Sequence, residues 1–221
     1  MIETVLDPRI IENKDWATII FILSLVLIAF TKSTFETRFN EFSRLIVSDK
    51  YVKIYRDSSH IMSWFNVSLF IVQLVSFAFF IQLSLHYFDY AAKTDWIVFI
   101  QIFTFLGVFI LAKYLIEKIV ATSFDIEEFT EQFNLHKVSY RTYIGLLLLP
   151  VNIILFYNEN LSKNIILILI SIILVTIVLS YLLSLKNYQN LLFGKLFYFI
   201  LYLCALEIAP YYFMYYWFTK N

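Results

Sequence analysis

Asn164–Ser184, NIILILISIILVTIVLSYLLS, runs for 21 residues without a charge. At a rise of about 1.5 Å per residue, a helix of that length spans roughly 30 Å, the thickness of a bilayer's hydrocarbon core. Five more apolar blocks accompany it, at Trp16–Thr31, Ile61–His86, Trp96–Ile119, Tyr143–Tyr157 and Leu191–Trp217, with short polar joints between them. The expected fold is all-α: a polytopic membrane helical bundle forming a single integral membrane domain over residues 1–221, with about six transmembrane helices. The fourth block is short, and Pro150 inside it removes a backbone donor, so a kink is expected there.

Composition agrees with this class. Hydrophobic residues make up 61% of the chain and charged residues 15%, against about 45–50% and about 25% in soluble domains. Mean hydropathy is +0.75. Zero net charge and a pI of about 6.8 offer no basic face for nucleic acid. The one cysteine, Cys204, lies in an apolar block and excludes an intrachain disulfide. The first fifteen residues are polar and mixed in charge, with no basic n-region or small-residue cleavage site. Trp16–Thr31 is therefore expected to be a retained span rather than a signal peptide. With only 3 Gly against 24 Phe and 16 Tyr, aromatic rings rather than small-residue faces should supply much of the interhelical packing.

Lysine and arginine set the orientation. Arg9, Lys14, Lys93, Lys163 and Lys220 fall on one side of the alternating spans. Lys32, Arg38, Arg44, Lys50, Lys53, Arg56, Lys113, Lys118, Lys137, Arg141, Lys186 and Lys195 fall on the other. The positive-inside rule puts the richer side in the cytoplasm and both termini outside, periplasmic in an inner membrane of a diderm cell. Tyr211–Phe218, aromatic at seven of eight positions, suits the lipid–water interface at the outer end of the last span.

Two of the cytoplasmic joints carry helical stripes, predicted to be interfacial amphipathic helices. Phe35, Phe39, Phe42, Leu45 and Ile46 share one face, with Glu36, Arg38, Glu41 and Arg44 elsewhere. Ile126, Phe129 and Phe133 make the second stripe, flanked by Asp125, Glu127, Glu128 and Glu131. Ser33 with Glu36 and Thr122 with Asp125 have capping-box spacing, and each helix is expected to lie along the inner membrane surface. Both joints run from a Ser/Thr pair through a Phe stripe to a Tyr–Arg before the next span. A duplicated hairpin unit and convergence of two interfacial helices are both consistent with that likeness. The first joint is basic enough for anionic headgroups, whereas the acidic second, with Glu127, Glu128 and Glu131, is the better surface for a protein partner at the cytoplasmic face. Membrane lipids are the other expected partner.

Candidate chemistry is sparse. Glu207 is the acidic residue set deepest in a predicted span, about 24 Å along the axis from Leu191, and Pro210 would open the helix beside it. A carboxylate there must be protonated, paired or wet. It suits either proton handling or a structural bond to a Tyr hydroxyl. Asn152, next to Pro150, marks a possible polar cavity. Asn66, Gln73, Gln82 and Gln101 should also bond between helices. Lys113 and Glu117 have the spacing of an i, i+4 pair. Of the three histidines, only His60 and His136 fall at a matching depth. The chain has no H-E-x-x-H, G-x-S-x-G or Walker motif, so no catalytic residue, cofactor or metal ligand is assigned.

The phrases LAKYLIEKIVATSF (111–124) and FNLHKVSYRTYIGLLLLPVNIILFY (133–157) resemble an uncharacterised integral-membrane family of Bacteroidota, known as a domain of unknown function. The Ile, Lys, Asn, Phe and Tyr content suits a low-GC member of that phylum. The resemblance implies a polytopic inner-membrane protein and carries over no catalytic residue. The leading expectation is a non-enzymatic inner-membrane protein, a subunit or assembly factor of a cell-envelope complex. A small proton-coupled transporter or permease using Glu207 is the alternative, and a lipid-modifying membrane enzyme built on the acidic joint ranks below both.

Overall fold

The computed structural model describes residues 14–45, 51, 54, 63–123, 127–158, 163–187, 212 and 216. These residues are helical throughout, with short turns and no strand: α1 (Asp15–Thr34), α2 (Glu36–Ser43), α3 (Trp64–Tyr87), α4 (Trp96–Ser123), α5 (Glu127–Tyr157) and α6 (Lys163–Asn187). Four segments are long and apolar enough to cross a membrane: α1, α3, α4 and Asn134–Tyr157 of α5. A fifth, α6, is apolar over Asn164–Leu179. The protein is a helical membrane protein. The sixth predicted span, Leu191–Trp217, lies outside the described residues apart from Tyr212 and Tyr216, and so do Glu207, Pro210, Cys204 and His60.

The hub is α3. In its most apolar window 61% of residues are buried against protein, compared with 6% in α4. Helix α3 packs most extensively on α5, then on α4 and α1. Gly145 makes the α3–α5 crossing close: a Cβ there would sit 2.9 Å from Gln73 Cγ and 3.1 Å from Gln73 Cα. Only a residue without a side chain fits that approach. Lipid tails are as apolar as the helices, so such packing holds by dispersion and shape rather than by escape from water. The remaining apolar surface points outward, as Leu23, Phe30, Val108 and Leu174 do, each more than half exposed.

One end of the bundle is closed by rings. Phe79, fully buried, stacks on Trp16 at 5.7 Å and Phe21 at 4.2 Å, and meets Phe99 at 4.5 Å and Phe156 at 5.8 Å. Trp16 also donates its indole N–H to Thr94 O at 3.1 Å, pinning α1 to the α3–α4 turn. In that turn Asp89 takes φ 64°, a left-handed conformation that Asp tolerates better than most side chains. Asp95 then caps α4, its Oδ1 accepting from Ile97 N at 2.9 Å. The expectation that aromatic rings supply the packing is met here, with Gly145 as the added close contact.

Several sequence expectations change. Residues 127–157 form one helix of 31 residues, with Pro150 inside it. A separate second amphipathic helix and a short, broken fourth span are therefore not what this segment builds. No breaker lies between Phe133 and Tyr143, and Asn134, His136, Ser139 and Thr142 are buried against protein. Hydropathy alone scores those residues as polar joint. The first stripe does form a helix, α2, but Phe42 and Leu45 pack into the bundle with Phe65, Leu69 and Leu135, and Phe35 and Phe39 join that cluster. Its apolar face is thus covered by protein. The Ser33–Glu36 capping box is absent: α1 runs through Ser33, and α2 has Phe35 at its N-cap with no side-chain bond. Thr122 Oγ1 instead donates to Lys118 O within α4. The two joints are therefore built differently, α2 standing apart from α3 while the acidic stripe continues into α5.

Candidate functional site

Polar side chains inside the bundle fall into tiers along α3 and α5. In the middle, Thr142 Oγ1 donates to Gln73 Oε1 at 2.8 Å, and Asn152 Nδ2 donates to Ser76 O at 2.7 Å. All four residues are at most 5% exposed. Asn152 is thus a clamp between α5 and α3 rather than the wall of a wide cavity. Nearer the aromatic end, Gln82 Nε2 donates to Asp95 O at 2.7 Å and fastens α3 to the start of α4. Of the spanning amides expected to bond, Gln101 is the exception, lying on an exposed face of α4.

Two buried charges, Arg38 and Glu117, lie at the other end, and a third, Lys93, is buried in the α3–α4 turn. Arg38 was expected on the solvated side of α2, but it is buried, 8% exposed, one turn before Phe42. Its Nη1 donates to Ser63 Oγ at 2.9 Å and its Nη2 to Asn66 Oδ1 at 3.4 Å, while the guanidinium lies 4.7 Å from the Phe65 ring centroid. Stacking on a ring and forked donation suit Arg and would not suit Lys. Arg38 thereby staples α2 to the first turn of α3. A void of about 10 Å³ beside Asn66 leaves room for one water at most.

Glu117 is the second buried charge at this end, 2% exposed. It accepts from Lys137 Nζ at 2.9 Å, across the α4–α5 pair, and stands 3.9 Å from Lys113 Nζ one turn back. The i, i+4 pairing read from sequence is present, but the shorter contact is the cross-helix one. The sequence signal for it was a single acid among Leu115, Ile116, Ile119 and Val120. Spacing along one helix could not reveal the partner on another.

Beside this pair, α4 and α5 diverge around a cleft of about 210 Å³. Tyr114, Lys118, Ala121 and Thr122 form the α4 wall, at helical spacing on one face. Glu127, Glu131 and Asn134 form the α5 wall, again on one face. Two of the three acids singled out from sequence are therefore brought together here, both exposed; the side chain of Glu128 lies outside the described residues. Asn134 is 4% exposed, and its Oδ1 has no hydrogen-bond partner. His136 is buried and stacks on Tyr140 at 4.5 Å. His86 bonds to Ala91 O at the opposite end. Among the described residues no group of three His, Cys, Asp or Glu side chains is spaced to hold a metal ion.

No curated protein and no solved structure matches the chain. Residues 17–218 match the family model described as Domain of unknown function (DUF4271), and with nearly the whole chain covered the protein belongs to that family.

Proposed function

We propose that this member of the DUF4271 family is a non-enzymatic inner-membrane protein, a subunit or assembly factor of a cell-envelope complex. In this reading the Trp16–Thr94 end faces outward and the Arg38–Glu117 end faces the cytoplasm, as the lysine and arginine count favours. The observation that carries the reading is how the intramembrane polar groups are used. Thr142 bonds to Gln73 and Asn152 to Ser76, each pair across α3 and α5, which supports a structural use for them, although Gln73 Nε2 and Asn152 Oδ1 have no partner among the described residues. A permease needs such groups around a wet path at the midplane. The exposed chemistry gathers instead at the charged end, where Glu127 and Glu131 open α5.

Affinity purification of the tagged full chain from native membranes, followed by mass spectrometry, tests this. Glu127→Lys with Glu131→Lys should lose a partner that the wild type retains, with thermal stability unchanged. The competing transport reading is tested separately through Glu207→Gln. Full complementation of a deletion strain by that variant sinks proton coupling, whereas loss of function with intact partner binding would favour it.

A further inference from the structure

Helix α4 has one face turned to the bundle and one turned away. It leans on α3 through Phe99, Leu106 and Gly107, and a Cβ on Gly107 would stand 3.7 Å from Leu74 Cδ1. The opposite face carries Ile97, Gln101, Thr104, Val108, Leu111 and Leu115, all exposed. These positions alternate steps of four and three residues, the heptad rhythm that keeps one stripe against a partner helix over several turns. Lipid alone would suit such a stripe if it were apolar throughout. Gln101 makes it otherwise.

The nearest charges along the chain are Asp95 and Lys113, about 9 Å and about 18 Å from Gln101 by helical rise. Its side chain leans toward the Trp96 end, as helical side chains do, but the level of Asp95 is farther than a glutamine extends. Other amides of the spanning helices bond outside their own helix: Asn66 to Arg38, Gln73 to Thr142, Gln82 to Asp95 O and Asn152 to Ser76 O. Outward-facing hydroxyls bond within theirs, Thr104 to Ile100 O, Ser171 to Leu167 O and Thr176 to Ile172 O. Among the described residues the Gln101 amide does neither. Acyl chains offer an amide no bond, so this one calls for a partner that carries donors and acceptors into the bilayer.

We propose that two copies of this chain dimerise along α4, with their Gln101 amides hydrogen-bonded to each other across a two-fold axis along the membrane normal. Copies of one chain insert in the same sense, so such an axis sets each α4 residue opposite itself at equal depth. An amide carries both a carbonyl acceptor and an NH₂ donor, and is therefore complementary to its own copy. A different helix would have to bring a polar group to that depth independently. Thr104 and the more than half-exposed Val108, Leu111 and Leu115 supply the packing, and one polar residue in an apolar seam fixes its register. The contact uses the flank of α4, whereas the subunit reading uses the start of α5. It goes beyond that reading and does not rest on it.

The test is disulfide crosslinking of the full chain carrying Cys204→Ser, reconstituted alone in vesicles of phosphatidylethanolamine and phosphatidylglycerol. Val108→Cys probes the stripe, while Val26→Cys on α1 and Leu174→Cys on α6, equally exposed, serve as controls. Oxidation should give a dimer from position 108 and little from position 26 or 174. As protein is diluted into lipid, Gln101→Leu should move the dimer midpoint to at least about five-fold higher protein density, roughly 1 kcal/mol and within the range of intramembrane hydrogen bonds. Gln101→Asn keeps an amide and should retain more dimer than Gln101→Leu. Position 101 is exposed, so thermal melts of both variants should match the parent; if either melts early, the position-108 crosslink against its controls still decides. A monomer at every dilution, an unchanged midpoint in a folded Gln101→Leu variant, or equal crosslinking from position 26 or 174 overturns the proposal. So does a position-108 crosslink made in native membranes only to a different protein. A retained dimer with no other protein recovered by affinity purification would count against the subunit reading alone.

Discussion

The two ends of this bundle solve the same packing problem with different chemistry. At the aromatic end Phe79, Trp16, Phe21, Phe99 and Phe156 fill the space between four helices, with Trp16 bonded to the α3–α4 turn, Asp95 capping α4, and Thr18 bonded to Tyr157. At the charged end the helices are joined by Arg38 on Ser63 and Asn66 and by Glu117 on Lys137, and beside them a cleft stays open. Rings pack by shape and tolerate no gap. Ion pairs fix distance and leave room around themselves. The first end is where the rings set the packing of four helices, and on the proposed function the second is the one that meets other molecules.

The largest expected effect of breaking this division is at the aromatic end. Phe79→Ala should cost about 3–5 kcal/mol, because the cavity lies between helices that cannot all collapse onto it. The check is a thermal melt of the purified protein, and a loss below about 1 kcal/mol would show the rings are not the keystone. Next comes Glu117→Ala, which strips Lys137 of its buried partner and should cost about 2 kcal/mol. Exchanging the charges, Glu117→Lys with Lys137→Glu, should recover most of that loss; no recovery would mean that the pair is incidental. Gly145→Val should cost about 1–3 kcal/mol by forcing α5 off Gln73. The smallest effect belongs to Asn152→Leu. Interhelical hydrogen bonds in membranes average about 0.6 kcal/mol and reach about 1.7, so a loss above 3 kcal/mol would point to a larger polar network.

The contrast between the ends also explains what the sequence disclosed. Long apolar runs announce themselves, so α1, α3 and α4 lie within a few residues of the expected spans, as does the apolar helix α6 at Lys163–Asn187 against an expected Asn164–Ser184. The exception is α5, its membrane-length segment beginning at Asn134 rather than Tyr143. The ring-packed end was visible as composition, since Phe and Tyr greatly outnumber Gly. The charged end was not. Arg38, His136 and Glu117 look like solvated or interfacial residues until neighbouring helices cover them, and burial by another helix has no signature in local spacing. The same blindness split α5 into an amphipathic joint and a short span. Asn152 was legible as a polar residue inside an apolar block, but its partner Ser76 is 76 residues away. Glu127 and Glu131 were legible as a face; that Lys118, Tyr114 and Asn134 complete a cleft with them was a tertiary fact.

The central claim is that interaction belongs to the charged end and shape to the aromatic one. Site-specific photocrosslinking in native membranes tests it most directly, with the probe at position 131 compared against position 90 in the α3–α4 turn. A discrete crosslink to another envelope protein from position 131, absent from position 90 and lost on Glu127→Lys, is the predicted result. A partner captured from position 90 and not from position 131 would contradict the account.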